Sequence, residues 1–290
     1  MKRYLLFLLL LPAVTHAHFT IGGTPISVYG GAYAAKVALK GTAGPSNSPA
    51  GKPGAPIQAN LNRFDVKDEL GLDRANQWVF WVGFEHNNSP WPKLQIHHSS
   101  LSESGHGSAT RGIKYSSFPE LDVDISLTNK LSIHATDIVG YYTIPNVPMR
   151  LDLGGGFRRL QVAYTMAIDN MDINFPSFFP PHMQGQVEGT IAENMPEGIS
   201  KKTTQHIPIF YANFYKQLPL RGTYANISTV ASRFKDRKLY TNRFALGWRS
   251  DYNLGIEAGY SHQRHRFKGD DTVDIDIKIG GPYAAISLSF

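Results

Sequence analysis

Apolar residues spaced two apart, in one segment after another, constrain this chain more than any other feature. In "TVDIDIKIG", Val273, Ile275, Ile277 and Ile279 alternate with Asp274, Asp276 and Lys278. In "LGIEAGY", Leu254, Ile256, Ala258 and Tyr260 alternate with Gly255, Glu257 and Gly259. In "MRLDLGGGF", Met149, Leu151, Leu153 and Phe157 alternate with Arg150, Asp152 and Arg158, and in "YTNRFALGW", Tyr240, Phe244, Leu246 and Trp248 share one face. A period of two marks β-strands with unlike faces. Helical periodicity is weak throughout; the nearest approach is a turn expected at "DVKDELGLD" (65–73).

What the chain lacks narrows how so many strands can be held. Its 290 residues include no cysteine, so no disulfide framework staples them. A 42% share of hydrophobic residues argues against disorder. No 18-residue apolar run exists, which excludes a membrane-spanning helix. The opening "MKRYLLFLLLLPAVTHA" places Lys2 and Arg3 before an apolar block and ends in small residues, which predicts a cleaved export signal over 1–17 and a mature domain over 18–290. Without Lys2 and Arg3 the formal charge falls from +6 to +4, scattered and with no basic block, so nucleic acid is not an expected partner.

A soluble β-sandwich and a membrane barrel both alternate. Three details favour the barrel. The less hydrophobic face mixes Gly and Ser with charges of both signs, as a tight polar lumen does. The segments reach the ~9–11 residues that a tilted strand needs to cross a bilayer. Aromatic residues gather near segment ends, at Trp78, Trp81, Tyr141, Tyr142, Tyr211, Tyr215, Tyr240 and Trp248, as interfacial girdles do. Short turns at 87–93, 145–148, 216–219 and 250–253 alternate with longer connections at 40–75, 104–121, 165–204, 232–238 and 267–272. The expectation is an all-β, transmembrane, antiparallel up-and-down barrel of about ten strands, with eight or twelve still open, and with both termini periplasmic. Strands are expected near 25–39, 76–87, 92–104, 121–144, 148–164, 205–217, 219–231, 239–250, 253–267 and 272–290. The apolar parity switches at Gly280-Gly281 and again after Phe157, which predicts a β-bulge at each place.

The final alternation, Ile286, Leu288 and Phe290, resembles the C-terminal signal read by the outer-membrane assembly machinery of Gram-negative bacteria. "DVKDELGLD", "FWVGFEHNNSPWPKLQI" (80–96), "LSIHATDIVGYYTI" (131–144), "RLDLGGGFRRL" (150–160) and "DDTVDIDIKIGGPYAAISLSF" (270–290) together resemble a family of proteobacterial outer-membrane β-barrel proteins without an assigned activity. The resemblance implies a barrel in the outer membrane of a Gram-negative bacterium, contacting its lipids, lipopolysaccharide included, and delivered by the barrel assembly machinery. It implies no activity. Thr143 departs from the acidic residue the family more often carries after its Tyr-Tyr pair.

Three groups of residues invite a functional reading. Arg150, Asp152, Arg158, Glu257, Asp274 and Lys278 are expected to pair across a narrow lumen and close it. In "QIHHSSLSES" (95–104), His97 and Ser99 share a strand face. With a carboxylate such as Glu85 or Glu103 they could form a hydrolytic pair, and the His-x-Ser spacing resembles that of outer-membrane lipid A deacylases. The motif departs from that family in lacking the following Asn and in lying on an early strand. A polar interior explains the same residues without catalysis, and they are not assigned a catalytic role. In "NFPSFFPPHMQG" (174–185), the prolines exclude a central strand. Phe175, Phe178 and Phe179 are expected to form a plug or lid at the outer mouth. Proteolysis by His262, His265, Asp270 and Asp271 is the weaker enzymatic alternative, and His262 with His265 cannot share a metal, because three apart on a strand they face opposite ways. No cofactor is expected. The reading is a structural or accessory barrel, or one that binds small solutes or binds through its outer loops, with a lipid A or phospholipid hydrolase using the His-x-Ser pair as the alternative; the oligomeric state is left open.

Overall fold

Ten antiparallel strands close on themselves in this computed structural model, which describes residues 19–21, 24–45, 49–50, 57–60, 63–86, 90–115, 120–146, 148–194, 198–234, 237–267 and 273–289. The strands are β1 (Thr24–Pro45), β2 (Arg74–His86), β3 (Lys93–Tyr115), β4 (Leu121–Asn146), β5 (Met149–Asn174), β6 (Gly198–Gln217), β7 (Thr223–Phe234), β8 (Arg237–Arg249), β9 (Leu254–Phe267) and β10 (Val273–Ser289). Each pairs with the next, and β10 returns to β1 from Val273↔Pro45 to Ser289↔Tyr29. Closure satisfies the backbone without a free edge. The segment 56–66 adds only short pairings outside the ring, at Ile57–Asn60 and Phe64–Asp65, so the ring holds ten strands. The signal segment 1–17, Asp270, Asp271 and Phe290 lie outside the described residues.

The expected bulges at Gly280-Gly281 and after Phe157 are absent. The β9–β10 register is unbroken from Leu254↔Leu288 to Phe267↔Ile275, and β5–β6 is unbroken from Gly198↔Ala167 to Lys216↔Met149. What changes is the medium outside the wall. Toward the short turns, outward positions are apolar and exposed: Phe80, Ile138, Phe157, Phe244, Ile256 and Ile286. Toward the long connections, the same outward rows turn polar, and the inward rows turn mostly apolar and buried, with Gln77, Gln263 and His265 among them. Ile275, Ile277 and Ile279 on β10, Val123, Ile125, Leu127 and Leu131 on β4, and Leu160, Val162 and Met166 on β5 all point inside. A wall against lipid needs an apolar exterior and tolerates a polar interior, whereas a wall against water needs the reverse. The strand period runs on, and the hydrophobicity inverts. One register shift does occur, between β4 and β5 at Ser126/Leu127, where Asp169 is the extra residue and accepts a 2.6 Å hydrogen bond from Thr128.

Several expected loops are therefore strand: β3 runs on to Tyr115, and β5 to Asn174. Within 165–204 lies a helix, α1 (Pro181–Asn194), whose Val187 and Ile191 join the buried cluster. Phe179 is buried in that cluster and Phe175 packs against it at 4.9 Å from the Phe179 ring, while Phe178 is exposed. Phe178 is therefore not part of this buried group, which has a second, larger part. The segment 64–73, expected only as a turn, contributes Phe64, Val66, Leu70 and Leu72 to the same core. Asp65 organises it: its Oδ1 accepts from the Lys67 and Asp68 amides, and its own amide donates to Glu69 Oε2 at 2.6 Å. Asn129 on β4 donates to the Leu70 carbonyl at 3.0 Å. Arg111 binds Glu69 at 2.7 Å and lies over the Phe64 ring. Gly71 adopts φ 67° directly against the His106 carbonyl, and Gly105 and Gly107 leave room for the segment to lie flat on β3. Gly71→Ala combines a left-handed φ with a backbone clash, so denaturant melting should show a loss of at least about 1 kcal/mol.

Candidate functional site: the capped polar lumen

Below the apolar core, the interior changes character over one strand step. In β4 the inward row Leu131, Ile133, Ala135 is followed by Asp137, Val139 and Tyr141. In β5 the row Val162, Leu160 is followed by Arg158 and Asp152. Asp137 and Arg158 are direct cross-strand partners, and Arg158 makes a two-pronged contact to Asp137 at 2.5 and 2.6 Å. Both are almost fully buried. Bidentate geometry of this kind lets a desolvated ion pair recover its solvation cost. Arg158 also reaches Thr241 on β8 at 3.4 Å, tying β5 to a strand that is not its neighbour.

Nearer the short turns, Glu85, Arg150 and Asp152 form a second network. Arg150 binds Glu85 and Asp152, each at 3.0 Å, and Lys93 lies 3.6 Å from Glu85. Tyr141 donates to Glu85 at 2.9 Å and meets Tyr29 of β1 across the lumen at 3.0 Å. Asp152 also accepts from Thr143 at 2.8 Å and from Asn213 at 3.0 Å. A third group surrounds Arg243. Its guanidinium lies 5.4–5.6 Å from the ring centres of Tyr33, Trp81 and Tyr283, and 3.5 Å from Glu257. Such stacking on aromatic faces lowers the cost of burying a cation. Glu257 also accepts from Tyr283 at 3.0 Å and Tyr224 at 3.3 Å.

Arg150, Asp152, Arg158 and Glu257 thus lie inside, in three separate networks. Asp274 and Lys278 do not. They occupy even positions of β10, which point outward, and they sit beyond the apolar exterior, so Lys278 is exposed and Asp274 contacts Arg63 at 3.2 Å. Their expected lumen role is corrected by the inversion of hydrophobicity. The girdle residues split for the same parity reason: Trp78, Tyr142 and Trp248 are outside, whereas Trp81, Tyr141, Tyr211 and Tyr215 are inside. Among the lumen groups, Asp137 and Arg243 escaped the sequence reading. A single acid in the otherwise apolar row Leu131, Ile133, Ala135, Val139 was the signal for Asp137.

His97 and Ser99 both face inward on β3, but they are not joined. His97 Nε2 is 3.2 Å from Arg243 Nη1, so the imidazole lone pair accepts a hydrogen bond from the arginine. Glu85 is engaged by Tyr141, Arg150 and Lys93. A nucleophile–base–acid relay needs a hydrogen bond from the serine to the histidine, and none is present among the described residues. His262 faces outward beside Tyr240, while His265 is buried inside. No cluster of three metal-ligating side chains occurs among the described residues.

The three networks surround a cavity of about 500 Å³. One end of its lining is Asp137, Arg158 and Thr241, directly under the apolar core. The other is Arg249, Asn253 and Ser289, at the 250–253 turn and the end of β10. The cavity therefore runs from the apolar core to the short-turn end. Its walls are polar and aromatic, with Tyr29, Trp81, Tyr211 and Tyr224 beside Asn213 and Asn226. The Arg243 Nε, in this wall, has no acceptor among the described residues.

Comparison with protein-family models and with curated sequences gives no match. Among solved structures, the chain is similar to the outer membrane protease OmpT from Escherichia coli, with a TM-score of 0.56 at 11% identity over 91% of this chain and 97% of that one. The translocator domain of the autotransporter NalP from Neisseria meningitidis also matches, with a TM-score of 0.39 at 10% identity over 94% and 90% of the two chains. At these identities the first likeness shows shared architecture: the fold is the closed antiparallel barrel of outer-membrane proteins.

Proposed function

We propose that this chain is an integral outer-membrane barrel of the accessory kind, which presents a polar recess to the periplasm and does not conduct. In this reading, residues 1–17 direct export and are removed, the alternating end at Ile286 and Leu288, completed by Phe290, is read by the assembly machinery, and the apolar exterior meets lipid. The short turns face the periplasm, as in barrels of this class, and the long strands project outward. The observation that carries the reading is the stacking of an apolar seal, built from 64–73 and Phe179 with α1, on a polar cavity whose lining reaches the short-turn end. Tyr29–Tyr141, Arg243–His97 and Arg158–Thr241 lace the lumen wall to wall. The unfilled Arg243 donor and the aromatic walls suit a small polar solute held by hydrogen bonds and stacking.

Planar-bilayer recording tests closure. The intact chain should give no steady large-pore current, and Leu70→Ser with Leu72→Ser should admit leak events by loosening the seal. A steady large conductance from the unmodified chain would refute the reading.

A further inference from the structure

Immediately beyond the apolar exterior, one side of the barrel carries like charges in register. On β7 to β10 the outward residues Arg233, Lys238 and Arg266 are successive cross-strand partners, and the row ends at Asp276. One step closer to the apolar exterior, Arg264, Lys278 and Lys40 are successive partners across β9, β10 and β1. Four directly opposed pairs are therefore cation against cation: Arg233–Lys238, Lys238–Arg266, Arg264–Lys278 and Lys278–Lys40. Directly opposed like charges destabilise a sheet, so the fold gains nothing from this arrangement by itself.

Internal compensation is small. Asp276 holds Arg264 at 2.8 and 2.9 Å and lies 3.7 Å from Arg266. The Arg264 hydrogen bonds, working against burial, keep the Asp276 carboxyl below its ordinary range, so it stays ionised. Among the described residues, Arg233, Lys238, Lys278 and Lys40 have no carboxylate within ion-pair distance. The opposite side of the barrel differs. There β3 and β4 present Ser102 against Ser132, and Thr110 donates to Asp124 at 2.6 Å.

Height selects the counterpart. The outermost apolar outward residue is Tyr260 on β9 and its cross-strand partner Pro282 on β10. Arg264 and Lys278 each lie four residues beyond this pair, which is roughly 13 Å along a strand at about 3.3 Å per residue. Strand tilt shortens this, but the rows still clear the acyl chains and stand among headgroups. We infer that this face is a docking site for the phosphate groups of an outer-leaflet phosphorylated glycolipid, lipopolysaccharide being the occupant, with Lys40 and Lys278 at its centre. The inference rests on the orientation given under Proposed function. The ligand's negative charge supplies what the opposed cations lack, and its sugar-borne phosphates extend to the height of the rows.

The test uses the full chain purified in a neutral detergent. Lipopolysaccharide, the same material dephosphorylated, and inorganic phosphate are each titrated against it, with binding read by native mass spectrometry. The phosphorylated glycolipid should bind at least tenfold more tightly than the other two. Lys40→Glu with Lys278→Glu should weaken it at least tenfold, while Lys130→Glu with Lys202→Glu, outward charges on the other side, should leave it unchanged. Equal binding by the two double variants, or equal binding of the dephosphorylated glycolipid, overturns the inference, and saturation by inorganic phosphate alone makes the site one for a free anion and overturns it too. Because purified protein has no orientation, these outcomes are separate from the topology. Impermeant maleimide labelling of Lys238→Cys on intact cells reports topology; protection there, with labelling only after outer-membrane disruption, overturns the proposed orientation instead.

Discussion

Ile277→Ala is expected to cost about 2–5 kcal/mol of unfolding free energy, whereas Lys278→Ala, one residue on, should change it by no more than about 0.5. Ile277 is fully buried in the half of the barrel toward the long connections, and Lys278 is exposed on the outside of the wall. Removing the isoleucine leaves a cavity in a core that also contains Ile275, Ile279, Val37 and Leu39, and cavity formation adds to the lost transfer energy. The alternative arrangement, a bulge at Gly280-Gly281 with the isoleucines against lipid and Lys278 in the lumen, predicts the opposite order. A lipid-facing methyl group leaves no void when removed, and a lumen lysine leaves its partner unpaired. Guanidinium unfolding of each variant in detergent, followed by tryptophan fluorescence at constant slope, decides between them. A larger loss for Lys278→Ala than for Ile277→Ala would sink the inversion.

This contrast also marks how far the sequence could be read. All ten strands were legible, because a period of two over ten or more residues survives whichever medium each face meets. The side that each face presents was not legible in the half toward the long connections. Alternation says that two faces differ; only the neighbouring medium says which is inside, and that medium changes at the membrane boundary. Arg150, Asp152, Arg158 and Glu257 could be placed inside because they alternate with residues that meet lipid, while Asp274 and Lys278 alternate with Ile275, Ile277 and Ile279, which do not. The seal was hidden for a different reason. Leu70 and Leu72 are core residues only because Gly105 and Gly107, more than thirty positions later, let the backbone approach. That contact is invisible to local pattern. Helix α1 escaped because Gly185 and Gly189 weaken its propensity, leaving Val187 and Ile191 as its only fully buried apolar pair.

Asp137→Ala should cost about 3–5 kcal/mol, the larger of the expected losses at charged sites, because it strands Arg158 in the lumen. Arg158 would keep only its 3.4 Å contact to Thr241, in a position where it is 3% exposed. The double change Asp137→Ala with Arg158→Leu should recover most of the loss, since removing both charges removes the desolvation cost along with the attraction. The comparison pair is Arg221–Asp251, which has a similar separation of 2.8 Å but lies exposed at the short-turn end. Arg221→Ala should leave the unfolding midpoint where it is, because water and salt already screen that contact. The pair Asp137–Arg158 also stands at the junction of seal and cavity, so the single change has a second consequence. Arg158 would be driven to find a new anion or water, and the cavity below would extend toward the seal. Asp137→Ala should therefore raise the leak in bilayer recordings as well as lower stability, and the double variant should restore stability without restoring closure. Stability lost with no leak would place the pair's role in folding alone; no loss of either kind would mean that water already reaches Arg158.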